Sequence, residues 1–203
     1  MRLKSSFLTL GILLLLSACL IVFAVIVRAE TDIYATAKTS GMGYESGVGI
    51  SASHLYRFKD HFAIGVNGAL SNQKKTNADS GYTYSVSGHG RFYFSDFKYD
   101  NFYIAGGLGW SGYNSEFDHG SWSKSSWKPM VGCGYDSALF DAQLTYYPEE
   151  TQTANKVESI GLTASLLLTE RWILSARYSH AWYDQSGERD DDGIFTLALG
   201  WRF

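Results

Sequence analysis

The C-terminal nonapeptide FTLALGWRF (residues 195–203) places Phe195, Leu197, Leu199, Trp201 and Phe203 at alternate positions, with Thr196, Ala198, Gly200 and Arg202 between them. Successive side chains of a strand point to opposite faces, so the segment offers one large apolar face and one small or polar face. The same division recurs upstream. Between Gly81 and Phe94, one face carries Tyr82, Tyr84, Val86, Gly88, Gly90, Phe92 and Phe94, and the other Thr83, Ser85, Ser87, His89, Arg91 and Tyr93. Phe102, Ile104, Leu108 and Trp110 stand against Tyr103, Ala105, Gly107, Gly109 and Ser111. Phe140, Ala142, Leu144 and Tyr146 stand against Asp141, Gln143, Thr145 and Tyr147. No segment from Glu30 to Phe203 has helical periodicity.

Two architectures use such strands. A soluble barrel or sandwich turns the apolar face inward, whereas a transmembrane barrel turns it to lipid and fills its interior with small and polar residues. The aromatic residues sit towards strand ends (Tyr82 and Phe94, Phe102 and Trp110, Trp172 and Trp182), where a bilayer interface would meet them. The opposite face is rich in Gly, Ser and Thr. Short turns at Phe58–His61, Ser95–Asn101, Ser137–Leu139 and Thr169–Arg171 alternate with long polar stretches at Asn72–Ser80, Asn114–Ser125, Pro148–Lys156 and Asp184–Asp192. These features predict an all-β, closed, antiparallel, up-and-down transmembrane barrel. The strands fall near 193–203, 171–183, 157–168, 139–147, 125–136, 101–113, 81–94, 61–71 and 45–57. Closure wants an even number, and Thr31–Thr39 supplies the tenth, with eight strands as the alternative if a weak pair proves irregular.

Composition agrees with export and membrane residence. The 203 residues are 45% apolar and 16% aromatic, which excludes a disordered chain, and 21 Gly against 2 Pro suit long strands with tight turns. Arg2 and Lys4 precede the apolar run Phe7–Val27, and Ala29 offers a small residue at a cleavage site before Glu30, so residues 1–29 read as a signal peptide and 30–203 as the barrel. An uncleaved anchor and a lipid-modified Cys19, from Leu16-Ser17-Ala18-Cys19, are the competing readings of this segment. Without Arg2, Lys4 and Arg28 the chain has 14 bases against 20 acids, and nothing in it points to nucleic acid. After cleavage Cys133 would be the sole thiol, a structural or lipid-facing residue without an intramolecular disulfide.

The closing strand ending in Phe203 resembles the C-terminal signal that outer-membrane barrels present to their assembly machinery. The stretch TDIYATAKTSGMGYESGVGISASHLYRF (31–58) resembles the opening hairpin of the small barrels related to OmpX, Ail and the opacity proteins. The resemblance implies residence in a Gram-negative outer membrane, contact with its lipid and the barrel assembly machinery, and an assembly signal made by Phe195, Leu197, Leu199, Trp201 and Phe203. It implies no single activity, since these barrels serve in adhesion, serum resistance, stress response and envelope integrity.

The inward face should carry Lys38, Arg57, Asn67, His89, Arg91, Lys128, Asp136, Asp141, Gln143, Arg177 and Arg202. Eight or ten strands leave no wide pore, so opposite charges should pair into a structural network, with a narrow channel as the alternative. YSHAWYDQSGERDDDG (178–193) bears a superficial likeness to a lipid A deacylase constellation. In that family, however, His and Ser lie two apart on one face, whereas Ser179 and His180 are adjacent and face oppositely. No catalytic residue, cofactor or metal site is therefore expected, and the five His residues show no ligand spacing. Glu188–Asp192 reads as a solvated loop tip. Function is expected in the outer loops, above all through Phe117 and Trp122 in NSEFDHGSWSKS (114–125), which suit an extracellular protein or glycan.

Overall fold

The computed structural model describes residues 30–41, 43–58, 61–95, 100–152, 155–185 and 188–203. The expected leader, with Phe7–Val27, Cys19 and the cleavage position after Ala29, lies outside the described residues. Ten strands follow one another: β1 (Glu30–Lys38), β2 (Gly47–Phe58), β3 (Phe62–Ser71), β4 (Ser80–Tyr93), β5 (Asn101–Phe117), β6 (Gly120–Asp136), β7 (Phe140–Gln152), β8 (Asn155–Leu167), β9 (Trp172–Gln185) and β10 (Glu188–Arg202). Each pairs antiparallel with the next, and β10 closes on β1. The strand count is the ten read from the sequence, not eight. Closure gives every strand two neighbours, which a backbone in hydrocarbon requires because no water is present to satisfy its N–H and C=O groups.

Side-chain accessibility confirms which face looks where. Val131, Leu162 and Leu199 are 53%, 55% and 47% exposed, although each is large and apolar, whereas the alternating Met130 and Ala198 are 5% and 8% exposed. The outer wall is therefore the greasy one. It carries two aromatic belts. Phe62 meets Phe58 and Phe92, Phe102 meets Tyr135, and Trp172 meets Trp201 at the end where β1 begins and β10 finishes. Tyr84, Trp110 and Trp127 form a chain towards the other end, with Tyr178, His180 and Trp182 on β9. From Tyr82 to Phe92, ten residues at ~3.3 Å rise and a tilt of ~40° span roughly 25 Å of membrane normal, the height of a lipid-facing band. Cys133 points outward on β6 and is exposed.

The three later long connections depart from expectation. Asn114–Ser125 is not a loop: β5 and β6 stay paired out to Phe117 and Gly120, leaving Asp118–His119 as the turn. β7 and β8 pair out to Gln152 and Asn155, and β9 and β10 out to Gln185 and Glu188, so Pro148–Lys156 and Asp184–Asp192 are also carried largely by strand. Above the aromatic belt both faces of a hairpin are wet, so backbone pairing continues without the apolar alternation by which a strand is recognised. The Glu188–Asp192 run likewise opens β10 rather than capping a loop. Asn72–Ser80 is a true connection, spanning residues 72–79 before β4 begins at Ser80.

Candidate functional site

The inner wall encloses a cavity of about 820 Å³, and all eleven residues assigned to the interior from alternation line it. Its two ends differ in kind. At the end where β1 begins and β10 finishes, three arginines are held by carboxylates. Arg57 reaches Glu30 and, through Nη2, Asp136 at 2.8 Å. Arg91 Nη1 lies 3.0 Å from Asp141 Oδ2, and Arg202 donates from Nε and Nη2 to the two oxygens of Asp32 at 2.8 and 3.1 Å. The chain closes β10 on β1 in register Asp32↔Arg202, which is what sets that bidentate pair face to face.

Tyrosines complete this layer. Tyr93 donates to Asp136 at 3.0 Å, Tyr34 donates to Asp32 at 3.2 Å, and the Arg91 guanidinium lies 4.5 Å from the centroid of Tyr103. Tyr93 and Tyr103, each 1% exposed, pack with Ala63, Ala105 and Leu55 as the small core inside the barrel. Glycine makes the room: a Cβ at Gly134 would run into the Tyr103 ring, and one at Gly65 into the His89 imidazole. The result is a plug, with charges paired and aromatics filling the space between strands.

At the opposite end the cavity is lined by Lys38, Lys75, Lys124, Lys128 and Arg177. Among the residues whose side chains are described, the carboxylates that line the cavity are Glu30, Asp32, Asp136 and Asp141, and all four belong to the plug. Three cations of this upper layer, Lys38, Arg177 and Lys75, meet hydroxyls and rings. Lys38 Nζ donates to Ser71 Oγ at 3.1 Å, and Arg177 donates to Ser179 Oγ at 3.1 Å and to the Tyr147 hydroxyl at 3.4 Å. Lys75 Nζ stands 4.6 Å from the Trp122 ring centroid, 4.7 Å from that of Tyr113 and 5.8 Å from that of Tyr44. Burial, with the charge of Lys124 adding to it, holds Lys75 below the ordinary lysine range.

Trp122 and Phe117, the loop residues expected to bind, share the inner face of the β5–β6 hairpin, where Ser115 pairs with Trp122 and Phe117 with Gly120. Trp122 remains 54% exposed while touching Lys75. Sequence reading did not bring Lys75, Tyr113 and Tyr44 to this place, because they come from three separate connections or strands and have no common spacing. Ser179 lines the cavity, whereas His180 turns outward against Trp182, with ring centroids 4.7 Å apart, and contacts Asp191 at 3.3 Å.

A closed ring of antiparallel strands with a lipid-height apolar band and a polar, plugged interior matches a known family pattern, and the model of the outer membrane protein beta-barrel domain matches residues 12–203. The chain belongs to that family. It therefore resides in the Gram-negative outer membrane, and by the rule that the short turns of such barrels are periplasmic, the end with the plug, Glu30 and Phe203 is the periplasmic one and the cationic layer is external. No curated protein matches the chain. Among solved structures it is similar to the N-terminal β-barrel domain of Pseudomonas aeruginosa OprF (12% identity, 86% of this chain and 97% of that one, TM-score 0.42). It is also similar to Ail of Yersinia pestis (14%, 86% and 96%, 0.39) and to the outer membrane protease OmpT of Escherichia coli (10%, 86% and 96%, 0.48). At these identities the likeness concerns barrel architecture alone.

Proposed function

We propose that this barrel has a surface-interaction role without a wide pore and without catalysis: it is closed at its periplasmic end and captures anionic groups of an extracellular protein or glycan at its external mouth. The supporting observation is the charge arrangement, in which lysines and an arginine line the mouth while every carboxylate lining the cavity among the described residues belongs to the periplasmic plug. A cleft of one sign between low-dielectric walls concentrates counter-ions and steers them inward. Lys75 under Trp122 adds a flat aromatic surface of the kind that packs against a sugar ring or a side chain. A lipid A deacylase reading gains no support, since Ser179 and His180 face opposite sides of β9. The test is binding of dextran sulfate, against neutral dextran, to cells displaying the protein. Charge reversal in Lys75→Glu/Lys124→Glu should lower dextran sulfate binding at least tenfold, and unchanged binding would refute the reading.

Insertion is the second part of the proposal. The outward row Phe195, Leu197, Leu199, Trp201 and Phe203 serves as the signal read by the barrel assembly machinery before it serves as lipid-facing wall. Phe203→Ala should lower the outer-membrane level of the protein while leaving its export to the periplasm intact, as fractionation and heat-modifiable gel mobility would record. Normal outer-membrane levels would remove the signal role.

A further inference from the structure

The wall formed by β1, β10 and β9 carries two kinds of inward row. Low on it, the register sets Asp32 opposite Arg202, an acid facing a base. Higher up, the same β1–β10 boundary sets Lys38 opposite Thr196, and Thr196 in turn faces Arg177 of β9. All three line the cavity. Residues directly opposite on adjacent strands share a face, so this row reads cation, hydroxyl, cation across three neighbouring strands.

Neither cation has a carboxylate partner among the described residues. Lys38 Nζ turns towards β3 and donates to Ser71 Oγ at 3.1 Å, and Ser71 Oγ is hydrogen-bonded to Thr83 at 2.7 Å. Arg177 turns the other way, donating from Nε to Ser179 and from Nη2 to Tyr147 of β7. β3 lies two strands beyond β1, and β7 two strands beyond β9, each on the side away from β10. The two cations therefore lean apart. Between them stands the Thr196 hydroxyl, which has no hydrogen-bond partner among the described residues. Asp192, the next described acid on that face of β10, is four residues outward, on the order of 13 Å by strand rise, and its Oδ1 accepts from Gly193 N at 2.7 Å.

Two like charges flanking one strand repel, and a purely structural row would place an acid between them, as the plug does for its arginines. Here the middle position is a neutral hydroxyl, a third donor. β1 and β9 are two strand spacings apart, roughly 10 Å, so both long side chains can swing inward onto one small anion seated at Thr196. Donors from three sides also select a shape. A carboxylate offers two oxygens in one plane, whereas a phosphate or sulfate monoester offers three, one for each donor, and a guanidinium can take two of them.

The row lies deeper than the aromatic contact at the rim. Just outside it, on the lipid face, Phe195 faces Tyr178 of the external belt. Trp122 faces Ser115, five residues up β5 from the belt residue Trp110. Five residues at ~3.3 Å and a tilt of ~40° put the Lys75–Trp122 contact roughly 13 Å above the belt.

We propose that Lys38, Thr196 and Arg177 form a clamp for a tetrahedral oxyanion, the terminal phosphate or sulfate monoester of a sugar that enters through the external mouth. The ester oxygens take the Lys38 ammonium from one side, the Arg177 guanidinium from the other and the Thr196 hydroxyl from the wall. This rests on the anion-binding reading of the mouth, and it adds a defined seat, three donors and the class of the anionic group.

The experiment is calorimetric titration of the detergent-purified full-length protein with glucose 6-phosphate, glucose 6-sulfate, glucuronate and glucose. The monoesters should bind at least about tenfold more tightly than glucuronate, and glucose should not bind. The tighter of the two monoesters tells a phosphorylated source from a sulfated one. Lys38→Gln and Arg177→Gln should each weaken the monoester about tenfold, and Thr196→Val about threefold, while Thr196→Ser keeps wild-type affinity. Lys74→Gln removes the same charge from the external end outside the cavity and should change affinity less than about twofold. Heat-modifiable gel mobility confirms that each variant is folded, and the Thr196 pair serves if a cation variant is not. Equal loss in Lys74→Gln and Lys38→Gln, an indifferent Thr196→Val, or glucuronate binding as tightly as the monoesters overturns the clamp. If dextran sulfate binding still depends on Lys75 and Lys124, the mouth then stands without it; binding of neither glucose 6-phosphate nor dextran sulfate overturns both.

Discussion

The periplasmic and external halves of this interior both carry cations, the first on β2, β4 and β10 and the second on β1, β6, β9 and the β3–β4 connection, and they differ in what those cations meet. Arg57, Arg91 and Arg202 end on Glu30, Asp136, Asp141 and Asp32, whereas Lys38 and Arg177 end on hydroxyls and Lys75 on aromatic rings. A guanidinium withdrawn from water is stabilised only when a carboxylate and further hydrogen bonds replace its hydration. In the plug that replacement is made, and the charge is part of the wall. In the mouth, the hydroxyls that Lys38 and Arg177 meet satisfy donors without neutralising them, and the proposed anion capture rests on that difference. Charge pairing therefore separates the plugged half from the half to which the proposal assigns binding.

The largest effect should come from breaking a plug pair. Asp141→Ala strands Arg91, whose side chain is 11% exposed, and should cost about 3–5 kcal/mol in denaturant unfolding of the membrane-reconstituted barrel. The outer wall gives the next effect: Leu199→Arg faces lipid and should cost ~2–4 kcal/mol if it lies near the bilayer midplane, while Cys at Leu197 should react with a lipid-soluble thiol probe and Cys at Thr196 should not. The smallest should come from the mouth. Arg177→Ala removes hydroxyl contacts only and should change stability by less than about 1 kcal/mol while weakening anion binding. If Arg177→Ala destabilised the fold as much as Asp141→Ala does, the two halves would not differ in role.

The barrel and its inner face were legible because a strand in a membrane obeys the strictest alternation a sequence can show. Lipid beyond Leu197 and Leu199 forces one parity to be apolar, and the other parity then lists the interior, including Arg91, Asp141 and Arg202, with no knowledge of register. Pairing was not legible, because that Arg57 meets both Glu30 and Asp136 depends on how far each strand is staggered around the ring, and parity carries no information on stagger. The hairpin extensions failed for the complementary reason. From Asn114 to Ser125 water lies on both sides, so the alternation that marks a strand has no cause. Phe117 and Trp122 were visible as aromatics in a polar stretch, but Lys75 beneath Trp122 became visible only when the β3–β4 connection was folded over it.

The direct test of the plugged, externally cationic barrel is labelling of single cysteines from outside intact cells, in a Cys133→Ser background, with thiol reagents of equal size and opposite charge. Ser126→Cys and Ser179→Cys sit on the wall of the external cavity, and Ala63→Cys lies at the plug, where Ala63 pairs with Arg57 and Arg91. The anionic reagent should modify Ser126→Cys and Ser179→Cys at least about tenfold faster than its cationic counterpart, a ratio that salt reduces. Neither reagent should reach Ala63→Cys. Equal rates for the two charges at the mouth, or ready labelling of Ala63→Cys from the outside, would contradict the account.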